Sequence, residues 1–459
     1  MSRHCVLEVP HSPAMVALPP RVVIAGTHSG VGKTTVATGL MAALAARGVR
    51  VASAKVGPDF IDPGYHALAT GRPARNLDAW MCGVDAIGPL AGRAGTGADI
   101  LVIEGVMGLF DGAGDGLPSS TADIARLLDA PVVLVIDASS MSQSVAAIVH
   151  GFATLDPRVR VAAVVLNRVG SPGHELLLRA ALEPLGFPVL GVIGRDDEFS
   201  WRDRHLGLVP VAERPDAVRE SLRALTAAID RSCDLDAVVR LARTAPARTV
   251  PPPDLPAPVG HARIALAAGP AFSFTYQDNL DTLTAAGAEL VPFDPCRDER
   301  LPDGCSGLLA GGGFPEVYAS ALADNGRLLA DVRERLADGL ILWAECGGLL
   351  WLAQHLDGRP MAGVVATRGE MTKRLTLGYR AAVTRSPTPL GPAGTELRGH
   401  EFHYSTTVPT GDALAMRGRH GESEGGFASP TMLASYLHVH LGNAPQVGAS
   451  FVRSCVAAG

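Results

Sequence analysis

The stretch V-V-I-A-G-T-H-S-G-V-G-K-T-T, Val22 to Thr35, constrains this chain more than any other. An apolar run, a glycine-rich turn and then Val36, Leu40, Met41 and Leu44 at helical spacing predict a buried strand that turns into a helix. Gly30 and Gly32 let backbone amides approach an anion closely, and the helix N-terminus aims N–H groups at phosphate oxygens. Lys33 supplies positive charge and Thr34 offers a hydroxyl to Mg²⁺. The pattern is that of a nucleoside triphosphate cradle. Its strict spacing asks for glycine at Thr27 and finds it one residue earlier, at Gly26, so the loop is a variant. Thr27, Gly30, Gly32, Lys33, Thr34 and Thr35 are the positions expected to touch the nucleotide.

The rhythm continues. Val49 to Ala54, Ile100 to Ile103, Val132 to Ile136, Val161 to Leu166 and Val189 to Ile193 are short, nearly continuous apolar strands alternating with amphipathic helices. Strands of that kind are buried on both faces, which predicts a doubly wound parallel sheet with ligands beyond the carboxyl ends of its strands. Acids fall at those ends: Asp59 and Asp62 after the second strand, Glu104 and Asp111 at the third. A hard cation prefers oxygen ligands and keeps several waters. Thr34, Asp59 and Glu104 are therefore the expected metal positions, with Asp62 and Asp111 at the site of phosphoryl transfer. Asn167, closing another strand, could offer its amide to adenine, or could simply form a turn.

At 459 residues the chain is too long for one ordinary core, and its length suggests about two to three domains. With a net charge of −6 and no basic footprint, nucleic acid is not an expected partner. No run of about 18 apolar residues suits a membrane span. The first twenty residues lack a basic start followed by an apolar block, so a cytoplasmic location is expected. The seven cysteines are scattered without a C-x-x-C pair, which argues against a disulfide framework or structural zinc.

Residues 244–262 are rich in proline, which cannot continue a helix or central strand. The expected organisation is an extension over 1–20, a first domain over 21–243, this linker, and a second domain over 263–459. In the second domain the rhythm restarts with strands at Ile264 to Ala267, Glu289 to Val291 and Gly307 to Leu309, and a helix near Asn279 to Ala286. The segment Leu340 to Leu350 then places Cys346 where a strand turns sharply into a helix. Helix amides there favour thiolate, the nucleophilic form. His438 and His440 are the candidate partners; two residues apart on an extended segment, they share a face.

Four runs carry a resemblance: K-V-G-P-D-F-I-D-P from Lys55, N-L-D-A-W from Asn76, E-G-V-M-G-L-F-D-G from Glu104 and R-H-L-G-L from Arg204. They resemble the synthetase domain of the cobyrinate and hydrogenobyrinate a,c-diamide synthases, a family related to dethiobiotin synthetase in its nucleotide loop. A-E-C-G-G around Cys346 and S-Y-L-H ending at His438 resemble the nucleophile and base of class I glutamine amidotransferases. The resemblance implies two α/β, doubly wound domains: a P-loop NTPase-like parallel sheet, then a class I glutamine amidotransferase-like domain. It implies ATP, Mg²⁺, L-glutamine and a corrin-type tetrapyrrole polycarboxylate as ligands. The implied reaction amidates the a and c acetate groups through an acyl phosphate and ammonia released from glutamine.

Within that resemblance Cys346 is the nucleophile, His438 rather than His440 its base, and Gly312 and Gly313 the oxyanion loop. One departure stands out: class I enzymes carry an acid two residues after the histidine, and this chain has His440 there. Other ligases of the same build, cobyric acid synthase and the nickel-sirohydrochlorin a,c-diamide synthase of coenzyme F430 formation, are alternatives. So is a partitioning ATPase, although those carry a signature lysine where this chain has His28. A homodimer is compatible with the resemblance. The family-like stretches Ala271 to Asn279, Met371 to Leu375 and Gly399 to Tyr404 are equally suited to packing and are left outside the expected site.

Overall fold

Val22 and Ile24 of the strand Arg21–Gly26 enter one apolar cluster with Val36, Leu40 and Met41, while Val23 and Ala25 enter a second with Ile87 and Leu101. Full burial of each large aliphatic side chain contributes about 1.5–3 kcal/mol, so a strand apolar on both faces needs helices on both sides. The computed structural model, which describes residues 14–114, 116–195, 203–204, 207–208, 210–213 and 215–459, has that arrangement. A seven-stranded parallel sheet runs in the order 75–77, 51–56, 100–104, 21–26, 132–137, 161–169, 189–194.

The second strand is Val51–Val56, two residues later than its apolar run predicts. Gly48 takes a left-handed φ of 81°, and the Arg50 side chain and amide bind the Asp99 carboxylate, which holds Arg50 outside the sheet. The shift matters for the site: Lys55 now lies inside the strand, in register with Glu104 on the neighbouring strand. Near the start of the described chain, Val16–Ala17 pairs with Thr249–Val250. Of the R-H-L-G-L run, residues 205–206 lie outside the described residues; the flanking pairs 203–204 and 207–208 form a small antiparallel ladder.

Residues 251–261 have no regular secondary structure, in keeping with their prolines. A second sheet follows in the order 288–293, 262–267, 307–310, 341–345, 432–435, 427–429, parallel except for its last strand. Between its strands at 341–345 and 427–429 the chain builds six strands of a seven-stranded, mainly antiparallel sheet around the long pair Val365–Thr384 and Glu396–Val408. The apolar-run reading of the sequence does not contain this sheet. His438–Val439 joins its edge beside Gly399 and His400. The cysteine strand and the histidine strand therefore belong to different sheets that meet at one point.

The two α/β bodies touch along a seam made by the residues after the second and third strands of the first body in sequence. Arg75 pairs with Asp278 and, at 2.7 Å, with Asp281, which Arg93 also reaches at 2.9 Å. Tyr379 donates its hydroxyl to Asp78 at 2.7 Å and stacks on Trp80 with ring centroids 4.6 Å apart. Arg398 donates to the Trp80 carbonyl at 3.1 Å. Among the described residues, no helix is long and apolar enough to cross a membrane.

Candidate active sites

The strand Arg21–Gly26 ends in the glycine turn, and the helix Lys33–Ala46 begins at the lysine. Gly30 and Gly32 hold φ values of 83° and 94°, a backbone shape that residues with a Cβ rarely take. A Cβ on Gly26 would come within 2.5 Å of Val31, so the displaced glycine is the one that lets the variant loop fold back on its strand. Lys33 donates to the carbonyl of His28 at 3.1 Å, inside its own loop. Burial, reinforced by the nearby Lys55 ammonium, pulls the Lys33 pKa down to about 8, as expected of a cation short of a negative partner. Thr34 and Thr35 lie in the first helical turn, and the Thr27 carbonyl faces the turn at Gly108, after the strand Ile100–Glu104.

Thr34 donates its hydroxyl to Glu104 at 2.6 Å, and Asp62 lies 3.2 Å from the same oxygen. Lys55, which sequence reasoning missed as a site residue, joins these acids: its ammonium is 2.7 Å from Asp62 and 2.8 Å from Glu104. His66, also missed, contacts the other Glu104 oxygen at 2.6 Å. Burial works against charge on Glu104, but the Lys55 ammonium and the His66 hydrogen bond outweigh it and hold the acid well below the usual carboxylate range. Asp62 is pushed up by burial and by its acidic neighbours Asp59 and Glu104.

Asp59 and Asp111 lie near this cluster without joining its hydrogen bonds. Asp59 accepts from the amides of Ile61 and Asp62, at 2.7 and 3.0 Å, and so shapes the start of the next helix. Asp111 accepts from the Gly108 amide at 2.9 Å. Asn167 lies beneath the turn, donating to the Val31 carbonyl at 2.8 Å and accepting from the Arg168 amide at 3.0 Å. Each of its side-chain atoms retains one further hydrogen-bonding valence.

In the second body, Cys346 sits at φ 46°, ψ −100° between the strand Ile341–Glu345 and the helix Gly347–Leu352. A residue other than glycine in that region marks a strained turn that projects its side chain. Two glycines make the turn affordable. A Cβ on Gly347 would meet the Gly313 amide at 3.0 Å, and one on Gly348 would meet the Ala310 carbonyl at 2.2 Å. His438 is the imidazole coupled electrostatically to Cys346. Burial opposes charge on this imidazole, but the charges on Cys346 and Glu345 prevail and raise its pKa to about 10.

The triple-glycine loop packs against this pair, and a Cβ on Gly312 would come within 2.3 Å of the His438 ring. The expectation for Gly312 needs correction. Its N–H donates to the Phe274 carbonyl at 3.1 Å in a reciprocal bridge, so it is not available to an oxyanion; Gly313 is the donor left of the two. His440 is turned away from Cys346, its Nδ1 3.3 Å from the Cys82 sulfur in the first body and 3.0 Å from the Gly442 amide. Asn279 fixes this segment by donating to the Val439 carbonyl and accepting from the Leu441 amide.

The two sites share a border. Phe60, between Asp59 and Asp62, lies 5.0 Å from the His438 ring and 4.4 Å from that of Tyr276, and stacks on Phe274 at 5.3 Å, centroid to centroid. Thus Ala271 to Asn279 and Gly399 to Tyr404 supply the wall on which the first body rests. Lys373 and Arg374 are exposed on the antiparallel arm.

Residues 22–209 match the family model described as the CobQ/CobB/MinD/ParA nucleotide binding domain, and residues 263–446 the one described as the CobB/CobQ-like glutamine amidotransferase domain. The chain is 50% identical to the hydrogenobyrinate a,c-diamide synthase of Streptomyces coelicolor over 95% of its length and 97% of that relative. The chain belongs to the hydrogenobyrinate and cobyrinate a,c-diamide synthase family. Identity to the family member named hydrogenobyrinate a,c-diamide synthase in Thermobifida fusca is 46%, covering 95% of this chain and 97% of that one. To the family member named cobyrinate a,c-diamide synthase in a Synechococcus strain it is 42%, covering 95% and 98%.

Proposed function

We propose that this chain uses ATP and glutamine to amidate the a and c acetate groups of hydrogenobyrinic or cobyrinic acid, in the cytoplasm. The observation that carries the reading is the meeting of a nucleotide cradle and a thiol–imidazole pair across one short run, Lys55 to Asp62. A carboxylate is a poor acyl donor because its charge and resonance repel a nucleophile. Transfer of the terminal phosphoryl group of ATP to it creates a leaving group, and positioning and electrostatics dominate that step. Lys33 and the loop amides would neutralise the phosphates, Asn167 would face the adenine, and Asp62 and Asp111 would border the reacting acid.

The donor set fits Mg²⁺. Among the described residues no three acidic, histidine or cysteine side chains converge tightly enough to hold a metal alone. Mg²⁺ typically takes one or two protein oxygens and completes its shell with phosphates and water. Thr34 and Glu104 would hold it, with Asp59 reaching it through water, and it would supply charge neutralisation.

At the other site, the Cys346 thiolate attacks the side-chain amide carbon of glutamine, and the Gly313 amide supports the oxyanion. The His438 imidazolium then gives its proton to the departing ammonia. Water hydrolyses the glutamyl thioester with His438 as base, and glutamate leaves. Ammonia attacks the acyl phosphate, expels phosphate and leaves an amide; a second cycle converts the second acetate.

The relatives' names support a corrin-type macrocycle rather than the nickel branch. The higher identities to the proteins named for hydrogenobyrinate, 50% and 46% against 42%, favour the metal-free ring. Purified enzyme offered metal-free, cobalt and nickel macrocycles with ATP and glutamine should give two successive acid-to-amide mass changes, fastest on the metal-free ring. Conversion of the nickel macrocycle alone would replace this reading with the nickel one.

A further inference from the structure

The geometry points to Glu345 as the carboxylate that orients His438, in place of the acid that class I enzymes carry two residues beyond the histidine. This rests on the glutaminase reading above. Glu345 ends the cysteine strand and is only 5% exposed. One of its oxygens accepts from the Val439 amide at 3.1 Å, which ties the histidine strand to the cysteine strand. Its other oxygen lies 3.6 Å from His438 Nδ1. That separation exceeds a hydrogen bond, but catalytic contacts in a site without substrate are often long and tighten on binding.

Two further observations converge. His438 Nδ1 is buried and has no hydrogen-bond partner among the described residues, so the imidazole presents an unsatisfied atom to this acid. Glu345 in turn is a buried carboxylate whose ion-pair partner among the described residues is His438, with no lysine or arginine in contact. A buried carboxylate is costly to keep without a positive partner, and the His438 imidazolium is the group placed to match it. The ring is held in place by Gly312 on one side, and by His400 and Phe60, each 5.0 Å away between centroids.

Other candidates for the role are engaged elsewhere. His440, at the position where the acid would stand, faces Cys82 and Gly442. Glu401 is bound to Arg380 at 2.8 Å. His400 accepts from or donates to the Tyr276 hydroxyl at 3.1 Å, and burial, with the neighbouring His438, His440 and Arg380, keeps it neutral. With the Nδ1 proton held toward Glu345, Nε2 is left as the nitrogen that gives its proton to ammonia and then takes one from water, which is the tautomer the base of thioester hydrolysis needs.

Glu345→Gln in the full-length enzyme tests this. Glutamine retains the acceptor for the Val439 amide but would direct N–H at Nδ1, which selects the wrong tautomer. The kcat for ammonia release from glutamine should fall at least about tenfold. The KM for glutamine should move less than about twofold, and amidation driven by ammonium should be unchanged. Glu345→Asp, which keeps the charge on a shorter arm, should recover part of the loss. A glutaminase kcat within about twofold of wild type in Glu345→Gln overturns the assignment. So does an equal loss with ammonium in both variants, which would make Glu345 architectural. Wild-type enzyme that released no ammonia from glutamine would instead sink the glutaminase reading itself.

Discussion

Cys346→Ser should abolish glutamine-dependent amidation, by about a thousandfold or more, while amidation with high ammonium stays near the wild-type rate. The asymmetry follows from where the sulfur sits. Cys346 belongs to the second body, and its backbone bonds to Ser435 and Leu350 do not involve the nucleotide cradle. Serine fits the same strained turn, so the backbone needs no rearrangement. Its hydroxyl is far harder to deprotonate than a thiol, and the imidazole that serves a thiol does not compensate. Parallel assays with the two nitrogen donors measure the effect. Equal loss with both would show that the thiol serves the synthetase reaction directly, contrary to the proposed division of labour.

Lys33→Ala should remove amidation with either nitrogen donor, by about a hundredfold or more, because neither source of ammonia can react with an acid that has not been phosphorylated. Lys33 is bonded to a backbone carbonyl of its own loop and is 8% exposed, so its charge is positioned for an incoming anion. Removing it leaves the phosphates with the loop amides and Mg²⁺ but without the lysine's charge. Basal glutamine hydrolysis, which needs Cys346 and His438, should survive. Acid-dependent ATP consumption and glutamine hydrolysis, followed in one sample, separate the outcomes. Retention of amidation with ammonium would exclude Lys33 from the phosphoryl-transfer site.

Much of this layout is visible in the residues before any fold is known. The cradle is legible because its glycines, lysine and threonine are contiguous, and Cys346 is legible because two glycines follow it at the end of an apolar strand. Lys55, His66 and Glu345 are not. Each acquires its meaning from a partner far along the chain: Lys55 by strand register with Glu104, His66 by the helix Ile61–Thr70 that turns it toward Glu104, and Glu345 by a strand of another sheet. The signal available for Lys55 and Glu345 was a charged residue inside or ending an otherwise apolar strand, a costly placement that asks for a partner.

The antiparallel sheet was illegible for a different reason. Over Thr372 to Leu375 the strand Val365–Thr384 is exposed, and its register against Glu396–Val408 shifts between Met371 and Thr376. Such a stretch has neither the continuous apolar run of a buried strand nor clean alternation. Gly312 shows the limit of motif transfer. The loop was located from its glycines, but which amide is free depends on a bridge to Phe274 that no local pattern encodes.

Phe60 has a consequence of its own. The loop bearing Asp59 and Asp62 cannot change position without changing what the His438 ring leans against. The nucleotide side and the thiol side thus share one wall, and a single benzyl group is the piece of it that both of them touch.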